Sequence, residues 1–460
     1  MQENKMGTMP VPRLMINMGL PMILSMVLQA VYNIVDSFFV SNMADTPGFV
    51  HVGEAGVNAL TLAFPVQMLI VALAIGTGVG VNVLFSKTLG MGDKERAGRA
   101  AGNAIFLALV IYAATLLFGL FGVRAYIGSQ TGDAMVAEMG VQYLSICCVA
   151  SVGMVFFSIF EKLLQATGKS RLSTAAQIVG AVVNIILDPI MIYGLLGCPA
   201  LGIRGAAYAT VIGQIASALL AAFFQFRCNR EVVVAPRHLR PSASTIAGIY
   251  AIGVPAIIAQ AVMSVMTYGV NLIFGGISSA YVTAYGIFYK VQQFVLFAAF
   301  GLRDAITPIL AYNYGRRDEI RVRQTIRWGL VYTLAIMAVC WLALELFAEP
   351  LTAAFSLSEG TAALCVTAMR VVSVSFLFAG ANTALQSVFQ ALGRGVDSLV
   401  LSLLRQLIFV LPLAWVFARY APGLVWLSFV IAEVLSCAVA VVLLRRGLRT
   451  LNFETGRALQ

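Results

Sequence analysis

Residues 20–40 read LPMILSMVLQAVYNIVDSFFV, an apolar run that contains one carboxylate, Asp36. A helix rises about 1.5 Å per residue, so the segment around this run can cross a hydrocarbon core of about 30 Å. Its polar side chains recur at steps of four, four and three and share one helical face: Ser25, Gln29, Asn33 and Asp36. An intramembrane carboxylate is costly unless it faces a protein interior or a water-filled cavity. We predict that this face lines a functional cavity; the alternative is an acid that a neighbouring helix neutralises only for packing.

The composition is that of a helical protein that crosses the membrane many times. Of the 460 residues, 60% are hydrophobic and only 11% are charged, against about 25% charged residues in soluble domains. Continuous apolar runs of about 20 residues recur, whereas a β-barrel needs alternating segments of about 10 residues. The seven cysteines form no Cys-x-x-Cys or Cys/His pattern, so we expect neither a metal site of that kind nor a disulfide framework.

The apolar runs predict twelve membrane spans. Basic residues cluster in alternate connections, which by the positive-inside rule places both termini and the basic middle loop in the cytoplasm. The net charge of +10 is therefore interpreted as a topology signal and not as nucleic-acid binding. We expect a multi-pass protein of the plasma (inner) membrane, in contact with lipid and without nucleic acid. The predicted spans are residues 14–40, 56–84, 100–123, 138–164, 172–196, 205–226, 246–274, 280–301, 325–347, 362–391, 398–419 and 423–444.

Two halves of the chain repeat at one constant offset in residue number. Gly90-Met-Gly-Asp93 matches Gly315-Arg-Arg-Asp318, and at the same offset the motif at 165–168 (QATG) matches that at 390–393 (QALG). We therefore predict an all-α fold of two six-helix lobes related by pseudo-twofold symmetry, with a central cavity between the lobes. The predicted boundaries are 1–226 for the N-terminal lobe, 227–245 for a cytoplasmic linker and 246–460 for the C-terminal lobe.

Six short motifs spread over nearly the whole chain resemble those of the multidrug and toxic compound extrusion (MATE) transporters. They are residues 29–36 (QAVYNIVD), 90–93 (GMGD), 165–169 (QATGK), 184–189 (NIILDP), 205–210 (GAAYAT) and 312–315 (YNYG). The resemblance implies antiport that is driven by a cation and exports amphiphilic, often cationic, compounds from the cytoplasm by alternating access. No Gly-Lys-Ser/Thr nucleotide motif follows a glycine-rich loop, so ion gradients should supply the drive. We expect a monomer without a cofactor.

Asn184 and Asp188 lie four residues apart, on one helical face, directly before Pro189. Proline removes a backbone donor and kinks a helix, so this turn is locally polar. Asp188 could have a functional role here, or it could only satisfy the polar groups of the kinked turn. The resemblance implies that these two residues line a cation site together with Asp36 and Thr210. Two carboxylates in a poorly solvated pocket cannot both ionise cheaply and so favour a proton, whereas carboxylate, amide and hydroxyl oxygens also suit sodium. Proton and sodium both stay open, and no other metal is predicted.

A second set of polar residues is predicted to line the substrate cavity or to take part in gating. Lys290, in the eighth span, could repel cations, pair with an anionic substrate group, or only snorkel. Arg303 and Asp304 are predicted to form an ion pair at a helix end. Arg405 is expected to snorkel near a span end, and Glu433 to have a structural partner. The predicted cavity or gating set is Gln29, Tyr32, Asn33, Gln67, Lys290, Gln292 and Arg303.

Three other functions are alternatives to cation-coupled export. A flippase for a lipid-linked or anionic amphiphilic substrate would be favoured by Lys290 and Arg303. An intramembrane enzyme is disfavoured, since the chain has no paired acidic motif for polyprenyl phosphates, no Gly-x-Ser-x-Gly serine and no His-bearing metal motif. A passive channel would be excluded by uphill flux.

Overall fold

The computed structural model describes residues 4–44, 52–231, 234–353 and 357–450, except the side chains of residues 33, 449 and 450. Asn33, a predicted cavity residue, therefore has a side chain outside the described part. Within these ranges the chain is helical and contains no β-strand. The α-helices in chain order are α1 (Lys5–Thr8), α2 (Val11–Ser41), α3 (Val52–Gly90), α4 (Lys94–Phe121), α5 (Val123–Gln130), α6 (Ala134–Val149), α7 (Val152–Ala166), α8 (Ser170–Tyr193), α9 (Ile203–Phe223), α10 (Ala243–Gly275), α11 (Ser279–Gly315), α12 (Glu319–Ala353), α13 (Glu359–Ser373), α14 (Phe376–Ala391), α15 (Gly395–Leu403), α16 (Val410–Tyr420) and α17 (Leu427–Thr450).

Ten of the described helical segments are long and apolar enough to cross a membrane, or up to twelve if each of two bent pairs is one span. The bend between α6 and α7 is 45°, and that between α13 and α14 is 50°. These bent pairs lie where the sequence predicted its fourth and tenth spans. The all-helical, multi-pass fold predicted from the sequence is thereby confirmed.

The repeat is visible in the local structure of equivalent motifs. Asp93 accepts a hydrogen bond of 2.9 Å from the backbone N–H of the third residue of α4, and Asp318 accepts one of 3.0 Å at the same position of α12. Gly168 and Gly393 have φ values of +80° and +79°, a conformation that costs glycine little and other residues more. Equivalent motifs of the two halves therefore end and begin helices in the same way.

The ends of α3 and α11 contact each other reciprocally. A Cβ atom on Gly90 would overlap the backbone carbonyl of Tyr312, and a Cβ atom on Gly315 would overlap the carbonyl of Lys87. The two glycines correspond in the repeat, and so do the two residues that they meet. Such an exchange of equivalent contacts is what a local twofold axis produces. Both positions require glycine, because any side chain would separate the two backbones.

The described helices belong to two compact units that are each discontinuous in sequence. The unit called here the C-terminal unit comprises Met1–Ile23, Ser86–Gly92 and Ala251–Gln460. The N-terminal unit comprises Leu24–Phe85 and Asp93–Tyr250. Long helices such as α2 and α10 thus begin in one unit and continue in the other. The lobes 1–226 and 246–460, which are continuous in sequence, stay a prediction.

An aromatic cluster occupies the core of the C-terminal unit. The rings of Phe274 and Trp426 meet edge to face at 5.1 Å, and those of Tyr285 and Phe429 stack at 5.8 Å. All four side chains are buried. Aromatic pairs in these arrangements add about 0.5–1.5 kcal/mol beyond their buried area. They join α10 to the residue directly before α17, and α11 to the first turn of α17.

Arg321 anchors the N-terminal segment within the C-terminal unit. Its guanidinium donates hydrogen bonds of 2.8 Å to the backbone carbonyls of Met6 and Met9 and one of 3.0 Å to Oδ1 of Asn313. Nδ2 of Asn313 donates to the same Met6 carbonyl at 3.1 Å. The Met6 side chain is fully buried. The described residues that precede the first membrane helix are therefore part of the folded unit.

Replacement of Arg321 by Ala should release this segment. The change removes three hydrogen bonds from a charged donor, each of a type worth about 1.5–3 kcal/mol. We expect trypsin to cleave after Lys5 faster than in the wild-type protein in detergent, as measured by mass spectrometry of the shortened chain. Arg323→Ala is the matched control, because Arg323 lies on the same helix and pairs with Glu319 at the surface. Equal cleavage of R321A and wild type would contradict the anchoring role.

Candidate functional site

Asn184 and Thr210 meet because α8 and α9 pack at very short distance. A Cβ atom on Gly213 would lie 2.7 Å from the carbonyl oxygen of Gly180 and 3.0 Å from Cβ of Asn184. A Cβ atom on Gly180 would in turn lie 2.6 Å from the carbonyl oxygen of Gly213. Small residues permit such close approach of membrane helices. As a result, Nδ2 of Asn184 lies 3.5 Å from Oγ1 of Thr210.

Asp188 lies one helical turn after Asn184 and is fully buried. Nδ2 of Asn184 is 3.4 Å from Oδ1 of Asp188. This distance and that to Thr210 exceed the usual range of about 2.7–3.2 Å for an N–H···O bond, so both hydrogen bonds are weak. The Asn184 amide and the Asp188 carboxylate are thus neighbours, but the bond between them does not fully satisfy their hydrogen-bonding capacity.

Asp36 on α2 belongs to the same cluster. Its side chain is buried and lies close to that of Asp188. A hydrogen bond of 2.7 Å from the Tyr193 hydroxyl to the Phe39 carbonyl joins the last residue of α8 to α2, three residues beyond Asp36. The four residues that the family resemblance implied therefore lie together in the N-terminal unit.

Three buried oxygens of this cluster have no hydrogen-bond partner among the described residues: Oδ1 of Asp36, Oδ1 of Asn184 and Oδ2 of Asp188. A buried polar atom left unpaired costs about 1–3 kcal/mol. Such atoms are commonly explained by a bound ion or water that contacts them. Two carboxylates and an amide oxygen form a donor set that suits a hard cation or a proton. The residues present therefore fit either coupling ion that the sequence left open.

One further predicted residue of α2 and two residues of α6 lie near Asp36. Tyr32 lies close to Asp36, and so do Tyr143 and Cys147 of α6. Nε2 of Gln67 donates a hydrogen bond of 3.4 Å to the Tyr143 hydroxyl. Sequence reasoning missed Tyr143 and Cys147, because neither lies in a polar motif or at a characteristic spacing from one. Only the packing of α6 against the site identifies them.

The predicted residues Lys290, Gln292 and Arg303 lie on α11, within the C-terminal unit. Nη2 of Arg303 is 3.1 Å from Oδ1 of Asp304. The predicted ion pair is confirmed, but its predicted place at a helix end is wrong, because α11 continues to Gly315. Lys290 is exposed and forms no hydrogen bond or ion pair with the residues described here.

Two predicted residues remain without an assigned partner. Gln292 is half-buried on α11, and Gln29 is half-buried on α2. Neither donates or accepts a side-chain hydrogen bond within the described ranges. Their proposed part in the cavity or in gating stays a prediction.

An all-helical membrane protein with two repeated halves and a buried pair of acids has the features of a membrane transporter. The sequence pattern of the MatE family matches residues 21–190 and 255–416. Because these ranges cover well over half of the chain, the protein belongs to the MatE (MATE) family. Members of this family are membrane transporters and not enzymes.

The similar proteins cover nearly the whole chain. The multidrug export protein MepA of Staphylococcus saprophyticus is 24% identical over 434 residues, which span 94% of this chain and 92% of MepA. MepA of Staphylococcus aureus is 25% identical over 440 residues, which span 95% of this chain and 93% of MepA.

Solved structures share the fold. An outward-facing multidrug resistance MATE family transporter of the MOP superfamily has a TM-score of 0.90 at 23% identity, with 98% of both chains covered. A MOP superfamily transporter from Pyrococcus furiosus has a TM-score of 0.89 at 23% identity, also with 98% of both chains covered.

Proposed function

We propose that this MATE-family protein is a secondary antiporter that exports amphiphilic, cationic compounds in exchange for protons or sodium ions by alternating access. The observation that carries the proposal is the set of unpartnered, buried oxygens on Asp36, Asn184 and Asp188 within the described part of the chain. The two MepA relatives are multidrug export proteins, which supports amphiphilic compounds as the exported class.

The geometry suggests how these residues would couple an ion to a conformational change. Asp36 and Asp188 are buried and close to each other, so a proton or sodium ion bound between them would relieve the repulsion of two carboxylates. The hydrogen bond from Tyr193 to Phe39 links the same two helices and transmits a change in their separation. An ion drives transport only if its affinity differs between the inward-facing and outward-facing states. Loading of this cluster would therefore favour one state over the other.

A flippase for a lipid-linked or anionic amphiphilic substrate is the second candidate. The exposed ammonium of Lys290, which pairs with none of the described residues, favours it. Arg303 supports it less than the sequence suggested, because Asp304 neutralises the Arg303 guanidinium at 3.1 Å. We therefore place cation-coupled export first.

We further propose that the protein is a monomer of the plasma (inner) membrane with both termini in the cytoplasm. The support is the concentration of lysine and arginine in alternate connections, including the N-terminal segment and the middle loop.

Transport by purified protein in proteoliposomes tests the proposed function. A fluorescent cationic dye is loaded, and a proton gradient and then a sodium gradient is imposed. We expect one of the two gradients to move the dye uphill, which a passive channel cannot do. If folded protein moves no dye under either gradient, the antiport proposal is wrong, and movement of an anionic lipid would then support the flippase.

A further inference from the structure

A buried ion pair joins α17 to the π-helical turn Leu404–Phe409 in the C-terminal unit. Nε of Arg405 donates hydrogen bonds of 3.0 Å to both carboxylate oxygens of Glu433, and Nη2 donates one of 2.7 Å. The two side chains are only 10% and 14% exposed. The expectation that Arg405 snorkels near a span end is wrong, because its guanidinium points at Glu433 inside the unit. The structural partner expected for Glu433 is Arg405.

Asn382 on α14 also contacts this carboxylate. Its Nδ2 donates a hydrogen bond of 2.6 Å to Oε2 of Glu433 and one of 3.1 Å to the Glu433 backbone carbonyl. The Oδ1 atom of Asn382 and the hydroxyl of Ser436 are buried and unpartnered within the described part of the chain. Ser436 lies three residues after Glu433, on the same face of α17.

The Glu433 cluster offers the same kinds of group as the cluster at Asp188. Glu433 supplies a carboxylate, Asn382 an amide and Ser436 a hydroxyl. In the N-terminal unit, Asp188 supplies the carboxylate, Asn184 the amide and Thr210 the hydroxyl. Each cluster therefore combines the oxygen ligands that suit a hard cation.

Two of the three elements that carry the Glu433 cluster correspond in the repeat to helices of the Asp188 cluster. At the offset that relates Gly90 to Gly315, Arg405 corresponds to Gly180 of α8, and Glu433 corresponds to Tyr208 of α9. The π-helical turn and α17 therefore correspond to α8 and α9, whereas Asn382 on α14 corresponds to Phe157 of α7, which is not part of the Asp188 cluster. The clusters differ in one respect. Asp36 and Asp188 each have a carboxylate oxygen without a partner among the described residues, whereas the Glu433 carboxylate pairs with the guanidinium of Arg405, a cation that is part of the chain.

We infer that the C-terminal unit contains a second cation site whose cation is the guanidinium of Arg405. This inference rests on the proposed function, because it contrasts a site that loads and releases its ion with one that is permanently occupied. A guanidinium stays protonated at all physiological pH values, so this site does not exchange. Ion coupling is then confined to Asp36 and Asp188, because Arg405 prevents an external ion from binding at Glu433.

Removal of the guanidinium should open the second site to an external ion. A buried carboxylate without its partner is costly and takes up a counter-ion or a proton. The described titratable groups close to Glu433 are Arg405 from the π-helical turn and Cys437 from α17 itself, while Asn382 from α14 is neutral. After loss of Arg405, no positive charge among them would compensate Glu433.

The test compares cation binding by Arg405→Met with that of a double variant, Arg405→Met with Glu433→Gln, both in an Asp36→Asn, Asp188→Asn background. That background removes both carboxylates of the N-terminal cluster, so the difference in bound ions between the two variants reports on Glu433. Sodium binding is measured with radiolabelled sodium, and proton uptake after a drop in pH with an indicator dye. We expect about one additional sodium ion or proton per molecule in Arg405→Met, and none in the double variant, because only the former keeps an uncompensated carboxylate.

A folded Arg405→Met protein that binds no additional cation would overturn the inference. If Arg405→Met does not fold in sodium-free buffer at neutral pH, its folding should be restored by high sodium or low pH, while the double variant folds without either. Failure under every condition, with a folded double variant, would also overturn it. The proposed function is judged separately, by dye transport of the wild-type protein, so the two can fail independently.

Discussion

Asp36→Asn is expected to abolish gradient-driven export while leaving the fold intact. Asparagine has nearly the same shape as aspartate but neither binds a proton nor carries the charge that holds sodium. The ion could then no longer favour one conformational state, so the coupling free energy, typically about 1–3 kcal/mol, is lost and the gradient no longer drives export. The measurement is the initial rate of dye movement in proteoliposomes under the gradient that drives the wild-type protein.

Glu138→Gln is the matched control for this variant. It makes the same change from acid to amide, but Glu138 lies at the surface of α6, where its oxygen accepts a hydrogen bond from Gln142 at 3.0 Å. We expect wild-type transport from the control. Export by D36N at the wild-type rate and with the wild-type dependence on the gradient would remove Asp36 from the coupling site.

Gly213→Ala should damage both stability and coupling. The added Cβ atom would lie 2.7 Å from the carbonyl oxygen of Gly180 and 3.0 Å from Cβ of Asn184, so α8 and α9 must separate. Overpacking of this kind costs roughly 1–3 kcal/mol, even though alanine is the better helix former. We expect a lower thermal unfolding midpoint in detergent and slower dye export, because Asn184 moves away from Thr210.

Gly286→Ala distinguishes this packing effect from the general effect of replacing a helical glycine. Gly286 lies within α11, and a Cβ atom there would meet nothing within 4 Å. We expect this control to be as stable as the wild-type protein or slightly more stable, because alanine gains about 1 kcal/mol over glycine in a helix. If Gly213→Ala behaves like Gly286→Ala, close packing of α8 and α9 is not required.

The local features of the chain were predictable because they depend on neighbours in sequence. Apolar runs long enough to cross a membrane predicted an all-helical fold, and the match of Gly90 with Gly315 predicted the repeat. The four-residue spacing of Asn184 and Asp188 placed both on one face of a helix. Each of these inferences uses helical periodicity or motif identity, which a sequence contains directly.

The family resemblance predicted which residues on different helices belong to one site, which helical periodicity does not indicate. Spacing alone does not bring Asp36 or Thr210 to Asp188, since they lie on different helices. The structure places them together through the glycine contact of α8 with α9 and the hydrogen bond from Tyr193 to Phe39. That these residues bind the coupling ion stays a proposal, which the D36N experiment addresses.

The sequence by itself determined the class of protein, the helical content and the equivalence of the two halves. Only the tertiary structure decided which polar groups meet: Tyr143 near Asp36, and Arg405 with Glu433, 28 residues apart in sequence. The physical reason is that a buried charged group is stabilised by an opposite charge or a hydrogen-bonding group on a neighbouring helix. Which side chains face that interface depends on bends, π-helical turns and close glycine contacts that involve residues far apart along the chain.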